Sequence, residues 1–392
     1  MASNNTNIRD PEGGANQSGL RDQNARVVLS FIRRHGEMAS AEIARRAGLS
    51  AQTVSIIIRG LEADGLLKRG KSVKGKVGKP SVPMALNPNG VFSLGLNIGR
   101  RSAELVMVDF NGKHIDAQST SYPFPDIDEV FAFLRTGIKT IFESHPGARN
   151  LVTGIGVARP NRLWDWLEVV NAPEQAMQKW RNLDFAQAVS EATGLEAFVE
   201  NDATSACVAE HLIGRGSEFS DFAYIFVGAF VGSGLVLNGK VFSGRTGNAA
   251  ALGPLPVPDG KGGTTQLLKI ASLHVLESAL INAGKDPNAL RDQSSDWHEL
   301  EKYVSPWIEE TSRYLAIASA SIASVVEVEA ILIDGAMPEE IRQRLTVRVR
   351  WNFANLDLTG IEKPQIEPGS IGRSARSIGA ALLPIHSRYF LA

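Results

Sequence analysis

The chain has 392 residues, 43% of them apolar and 21% charged, with a formal net charge of −1; that length exceeds one ordinary core and predicts two or three domains. Its one cysteine, Cys207, excludes an intrachain disulfide and a cysteine zinc site, and seven scattered histidines without an HxxxH pair argue against a structural metal. With no apolar stretch near the N-terminus and no run of eighteen apolar residues, a cytoplasmic protein without a membrane span is expected.

Charge is unevenly spread. Residues 26–86 hold twelve Lys and Arg against four Asp and Glu, an excess of about +8, and residues 87–392 carry about −8. A basic head on an acidic body is the asymmetry of a nucleic-acid reader joined to another module.

Residues 1–20, rich in Asn, Gly and Ser, are expected to form a disordered tail or pairing arm. Arg21–His35 predicts a support helix with Val27, Val28, Phe31 and Ile32 as its apolar stripe. Ile43, Ala44 and Ala47 then fall on one helical face, and Gly48-Leu49-Ser50 supplies a stop, a turn and a polar start. In the following helix Val54, Ile57, Ile58 and Leu61 make the buried stripe, so Gln52, Thr53, Ser55 and Arg59 point outward. Two short helices joined this tightly read as a helix-turn-helix whose second helix enters the DNA major groove. Ala63–Leu67 closes that helix, Lys68–Pro80 is basic and glycine-rich, and Val82, Met84 and Leu86 alternate as in a strand. Two short strands around a basic tip make a wing. Ser50, Gln52, Thr53, Ser55 and Arg59 are assigned to the DNA surface of the helix, and Lys74, Lys76 and Lys79 to phosphates or the minor groove. The competing reading is a small helical domain that binds protein, its basic run merely solvated.

Asn87-Pro88-Asn89-Gly90 is turn-rich and sets the boundaries: tail 1–20, winged helix-turn-helix 21–87, body 88–392. Val91–Phe110 predicts two strands joined by a tight turn, Lys113–Ser121 a third, Phe131–Phe142 a helix and Leu151–Val157 another strand. The helix Phe185–Thr193 and the strand Ala197–Val199 follow. Glu200-Asn201-Asp202 sits at the carboxyl end of that strand, where α/β folds hold ligands, ahead of a small-residue helix Ala203–Leu212. Tyr224–Val227 precedes a glycine-rich run, Gly228–Gly234, and Leu235–Lys240 returns as a hairpin. Residues 263–325 read as helices, with Leu267, Leu268, Ile270 and Leu273 on one face, and Ser377–Leu383 as a last helix packed on the body. Strands mixed with helices make an α/β body.

Three stretches carry a resemblance: Gly95-Leu96-Asn97-Ile98-Gly99, Glu200-Asn201-Asp202-Ala203, and the glycine spacing from Gly228 through Gly239 to Gly244, Gly247 and Gly253. In this order, behind a helix-turn-helix, they resemble the ROK family (repressors, open reading frames and sugar kinases) from Ala25 to about Leu383. The resemblance implies a two-lobed, actin-like sugar-kinase body of the ribonuclease H-like type, with a phosphate hairpin at Gly95–Gly99 and a sugar-binding motif at Asn201-Asp202. It also implies where kinase chemistry has changed. The metal–phosphate Asp of the kinases, with the Gly and Thr after it, is matched by Asn97, Arg100 and Arg101. Asn lacks the charge a hard Mg²⁺ favours, and two arginines fill a phosphate turn or clamp an anion. Asp334 matches glycines beside the nucleotide and is expected to repel phosphates. Ala250-Ala251-Leu252-Gly253-Pro254 replaces the family's Gly-Glu-x-Gly-His segment, and no Cys or His follows before His274, so the zinc loop is missing. No catalytic residue, cofactor or metal is therefore expected.

Asp202 stands where the kinases place a general base, and beside Asn201 it equally suits recognition of sugar hydroxyls, or a plain helix N-cap. Arg159, Asn161 and Asn171 border the sugar pocket by resemblance or belong to a solvated loop. Trp164, Trp166 and Trp180 stack on a sugar ring or pack in the core, and Cys207 is a buried apolar residue. The expected function is a regulator, a repressor of sugar or polyol uptake or catabolic genes, that binds a palindromic operator in double-stranded DNA as a homodimer or homotetramer. A small carbohydrate-like effector would be held by Asn201, Asp202, Arg159 and Asn171. The alternatives are an ATP-dependent sugar kinase with a DNA-binding head, and a ligand-free regulator whose body only oligomerises.

Overall fold

The computed structural model describes residues 17–71, 82–161, 173–291 and 295–391. The chain forms two compact units, residues 1–90 with 386–392, and residues 91–385.

The smaller unit begins with α1 (Gln17–His35), which starts inside the stretch expected to be a tail. A helix once nucleated propagates cheaply through Gln, Leu and Arg. After β1 (Met38–Ala39) come α2 (Ser40–Ala47) and α3 (Ala51–Ala63). Gly48 ends α2 in the left-handed conformation, φ 65°, and Ser50 caps α3 by accepting from the Thr53 amide at 3.0 Å. Strands β2 (Leu67–Arg69) and β3 (Pro83–Leu86) pair antiparallel, with β1 on the other edge of β3. Val28, Ile32, Ile43, Val54, Ile58 and Leu67 close the core. The last residues belong here too: Phe390 is buried beneath the guanidinium of Arg33, 4.5 Å from the ring centre, and Ser30 Oγ accepts from the Leu391 amide.

The larger unit repeats one sheet plan twice. The first sheet holds β4 (Phe92–Ile98), β5 (Ser102–Asp109), β6 (His114–Ser121), β7 (Val152–Arg159) and β8 (Ala197–Asn201) in the order β6-β5-β4-β7-β8. The first three strands are antiparallel, and β7 and β8 run parallel to β4. Helices α4 (Ile127–Ser144), α5 (Glu174–Asn182) and α6 (Phe185–Thr193) cover one face, where Leu94, Leu96, Ile155 and Val157 point. Trp180 belongs to that core, stacked on Phe185 at 5.1 Å and donating its indole N–H to Pro125 O.

Helix α7 (Asp202–Ile213) leads to the second sheet: β9 (Phe222–Val227), β10 (Val231–Leu237) and β11 (Lys240–Val241), then the small hairpin β12 (Pro256–Pro258) and β13 (Thr264–Gln266). Helices α8 (Leu273–Asn282) and α9 (Glu301–Val325) precede β14 (Ala330–Gly335), α10 (Glu339–Ala354) and β15 (Gln365–Pro368). The order β11-β10-β9-β14-β15, an antiparallel triplet and then two parallel strands, repeats the first sheet. Duplication of this plan is the two-lobed sugar-kinase architecture.

Two local expectations change. The stretch 263–325 opens as β13 and a short 3-10 turn before its helices, while Leu267, Leu268 and Leu273 do face one core. The glycine-rich run is half strand, because β10 includes Gly232 and Gly234. A Cβ on Gly234 would lie 2.4 Å from Cys207 Cβ, so glycine lets α7 lie directly on β10. Cys207 is fully buried, and burial pushes its thiol far above the usual range.

Helix α11 (Ala375–Tyr389) lies on the other face of the first sheet. Its backbone comes so close that a Cβ on Gly95 would meet Ser377 O at 2.1 Å and one on Gly156 would meet Ala380 O at 1.8 Å. The first glycine of the expected phosphate hairpin therefore serves helix packing.

Candidate DNA surface and effector cluster

On α3 the buried stripe is Val54, Ile57, Ile58 and Leu61, so Gln52, Ser55 and Arg59 are exposed, as is the cap residue Ser50. Thr53 is half-buried and its hydroxyl is hydrogen-bonded to Ser50 Oγ at 2.8 Å; both residues fix the start of the helix. Sequence reasoning missed Ile56, 46% exposed and one turn from Gln52 on the outer face. An apolar residue off the buried stripe was the available signal, and in a major groove it can meet a thymine methyl. Lys74, Lys76 and Lys79 lie outside the described residues, as do Asn171, Trp164 and Trp166.

In the larger unit the carboxyl ends of β4, β7 and β8 lie side by side, with Asn97 paired to Ala158 and Arg159 to Asn201. Asn201, rather than Asp202, is the principal cap of α7: its Oδ1 accepts from the Ala203 and Thr204 amides at 2.9 and 3.2 Å. That leaves its amide nitrogen as the group to offer a ligand. Asp202 accepts from the Ala203 amide and lies 3.6 Å from Nη1 of Arg376, in the first turn of α11. Burial, foremost, raises the pKa of the neighbouring Glu200 carboxyl, against the hydrogen bond from the Asn201 amide.

Arg159 does not join Asp202. Alternation along β7 puts it on the face of Ile155 and Val157, with its guanidinium 5.6 Å from the Phe185 ring centre. Asn161 instead donates to Gly247 O at 2.6 Å, tying β7 to the glycine turn beyond β11. The groups around Asp202 are Arg376, stacked 4.9 Å from the Phe226 ring centre, and Arg100, 4.1 Å from that of Phe230. Burial, above all, pulls the Arg100 guanidinium down to about 10; Asp202 opposes the shift and Arg376 adds to it.

Comparison with known proteins decides the family. The ROK family pattern matches residues 93–386, and the MarR family pattern matches residues 18–76. The chain belongs to the ROK family.

Among its relatives is the DNA-binding transcriptional dual regulator NagC of Escherichia coli, 23% identical over 348 residues, covering 83% of this chain and 84% of NagC. Two solved structures share the fold. One is a ROK family transcriptional regulator, a homolog of the E. coli MLC protein, with TM-score 0.67 and 22% identity over 94% of this chain and 96% of that one. The other is a ROK family glucokinase from Streptomyces griseus in complex with glucose and AMPPNP, with TM-score 0.57 and 22% identity over 74% of this chain and 98% of that one.

Within the ROK body, Asp334 corrects an expectation. It presents no open negative charge: Arg342 Nη1 donates to it at 2.9 Å, Tyr224 Oη at 2.9 Å and the Gly372 amide at 2.9 Å, and it is fully buried. A carboxylate so surrounded ties the 369–372 loop to β14. Its effect on a nucleotide would come through the position of that loop, not through repulsion. Among the described residues no group of three or more His, Cys, Asp or Glu is placed to hold a metal, and no helix is long and apolar enough to cross a membrane.

Proposed function

We propose that this ROK protein is a sugar-responsive transcriptional repressor. The observation that carries the reading is the outer face of α3, where Gln52, Ser55, Ile56 and Arg59 are exposed on a winged helix of MarR type. Exposed side chains on this face are available to base edges, although Arg59 Nε donates to Ser55 O at 3.3 Å. In this reading Ser50 and Thr53 set the helix start, Lys74, Lys76 and Lys79 contact phosphates, and Asn201 and Asp202 recognise effector hydroxyls. NagC is itself a DNA-binding regulator, which supports the same role here. Such regulators read palindromes as symmetric oligomers. Val347 and Trp351, 59% and 54% exposed on α10, offer an apolar contact for a second copy.

Kinase activity is absent in this reading. Asn97 replaces a metal-binding carboxylate, and Asp202 faces Arg376. A coupled assay should detect no sugar-dependent ADP release; release that Asp202→Asn abolishes would establish the kinase instead. The deciding experiment for the repressor is capture of genomic fragments on the full-length protein at near-physiological salt, followed by sequencing. A few sites sharing an inverted repeat beside sugar-uptake or catabolic genes are expected. Indiscriminate capture that vanishes with added salt would reduce the head to a basic patch.

A further inference from the structure

The cluster beside Asp202 carries more positive charge than a neutral sugar needs. Asn97, at the end of β4, is 6% exposed, and its side-chain oxygen accepts no hydrogen bond from the described residues. Arg100, in the turn after β4, and Arg376, in α11, each bury an Nε–H that finds no acceptor among the described residues. Of the ionisable neighbours, Glu104 is engaged by the hydroxyls of Ser374 and Ser377, and Tyr122 donates to the carbonyls of Gly99 and Ser102. Arg101 donates to Pro123 O, and His274 meets Phe230 edge-on. Two guanidiniums therefore face one carboxylate, Asp202, and among the described residues the ion-pair contact there is the loose 3.6 Å approach of Arg376.

Buried N–H donors without acceptors are costly, and two like charges in low dielectric repel. Both costs fall if a second anion enters. The stacking of each guanidinium on a phenylalanine leaves its edge, where Nε and Nη lie, to form a fork to a carboxylate or phosphate.

We propose that this cluster binds a carbohydrate bearing an anionic group, with Arg100 and Arg376 clamping the anion while Asn97 Oδ1 and Asp202 accept from hydroxyls. The inference rests on the sugar-responsive reading and narrows its ligand to sugar acids or sugar phosphates. A neutral sugar would leave both Nε–H groups without a charged acceptor.

The test is calorimetric titration and thermal melting of the full-length protein with glucose, glucuronate, glucose 6-phosphate and inorganic phosphate at constant ionic strength. Glucuronate or glucose 6-phosphate is expected to bind at least tenfold more tightly than glucose, and the better of the two identifies the anion as carboxylate or phosphate. In Arg376→Gln that preference should fall to within about threefold. Arg100→Lys, which keeps the charge but not the fork, serves as the second variant should Arg376→Gln lose its cooperative melt. Equal or tighter binding of glucose, or a melting temperature unmoved by all three anions, overturns the proposal. Operator capture separates the two readings: specific capture without anion preference sinks this inference alone, and anion preference without specific capture sinks only the repressor.

Discussion

The outer face of α3 and the cluster beside Asp202 use similar side chains in opposite surroundings. On α3, Gln52, Ser55 and Arg59 are exposed, so their polar groups are open to solvent, with Arg59 Nε also donating to Ser55 O. Around Asp202, Asn97, Arg100 and Arg376 hold polar atoms that are buried and without partners among the described residues. An exposed polar face suits a long, hydrated polyanion read at many points. An enclosed one suits a small ligand, because each unmet hydrogen bond there acts at low dielectric.

The largest test of this contrast is a pair of like contacts. Arg342–Asp334, at 2.9 Å, is buried, whereas Arg69–Glu62, at 2.6 Å, lies on the surface of the smaller unit. Arg342→Ala should destabilise the protein by about 3–5 kcal/mol in urea unfolding, because it strands a buried carboxylate. Arg69→Ala should leave the urea midpoint unchanged within error. Equal effects would break the contrast.

Next comes the DNA surface. Gln52→Ala is expected to cost about 1–3 kcal/mol and to relax preference at a single base pair, measured by competition between operator variants. Ile56→Ala should weaken discrimination at a thymine and leave the salt slope unchanged. If Gln52→Ala instead weakens all sequences equally and flattens the salt slope, α3 does not read bases.

The smaller unit was legible because its signals are local. Gly48, Ser50 and the spacing of Val54, Ile57, Ile58 and Leu61 each act within a turn or two of the chain. The two sheets were legible in outline, since strand patterning and glycine spacing mark them. The effector cluster was only half legible. Asp202 was read from its place after a strand, but Arg376 comes from α11, 174 residues later, and no local pattern announces that meeting. Arg159 lies apart from Asp202 because strand alternation at the end of β7 turns it toward Phe185, a direction that residue type alone does not reveal. Asp334 was read as open charge because its neutralising partners, Tyr224 and Arg342, are supplied by β9 and α10. Gly95 was read as a phosphate residue, although what it accommodates is the backbone of α11.

The smallest expected effect concerns Glu210 on α7, fully buried and accepting from the amides of Arg215, Ser370 and Ile371. Burial pushes its carboxyl above the usual range, Asp334 adds to the rise, and the amide hydrogen bonds oppose it. An acid whose folded pKa is raised contributes its full stability below the unfolded value of 4.5 and loses it as pH rises through the folded pKa. Glu210→Gln has no proton to lose. The wild type should therefore hold its greatest advantage over this variant near pH 5, and the gap in melting temperature should narrow toward pH 8. A gap that widens with pH would mean the amide donors outweigh desolvation, and that the buried carboxylates of this body are stabilised in their charged form as surface ones are.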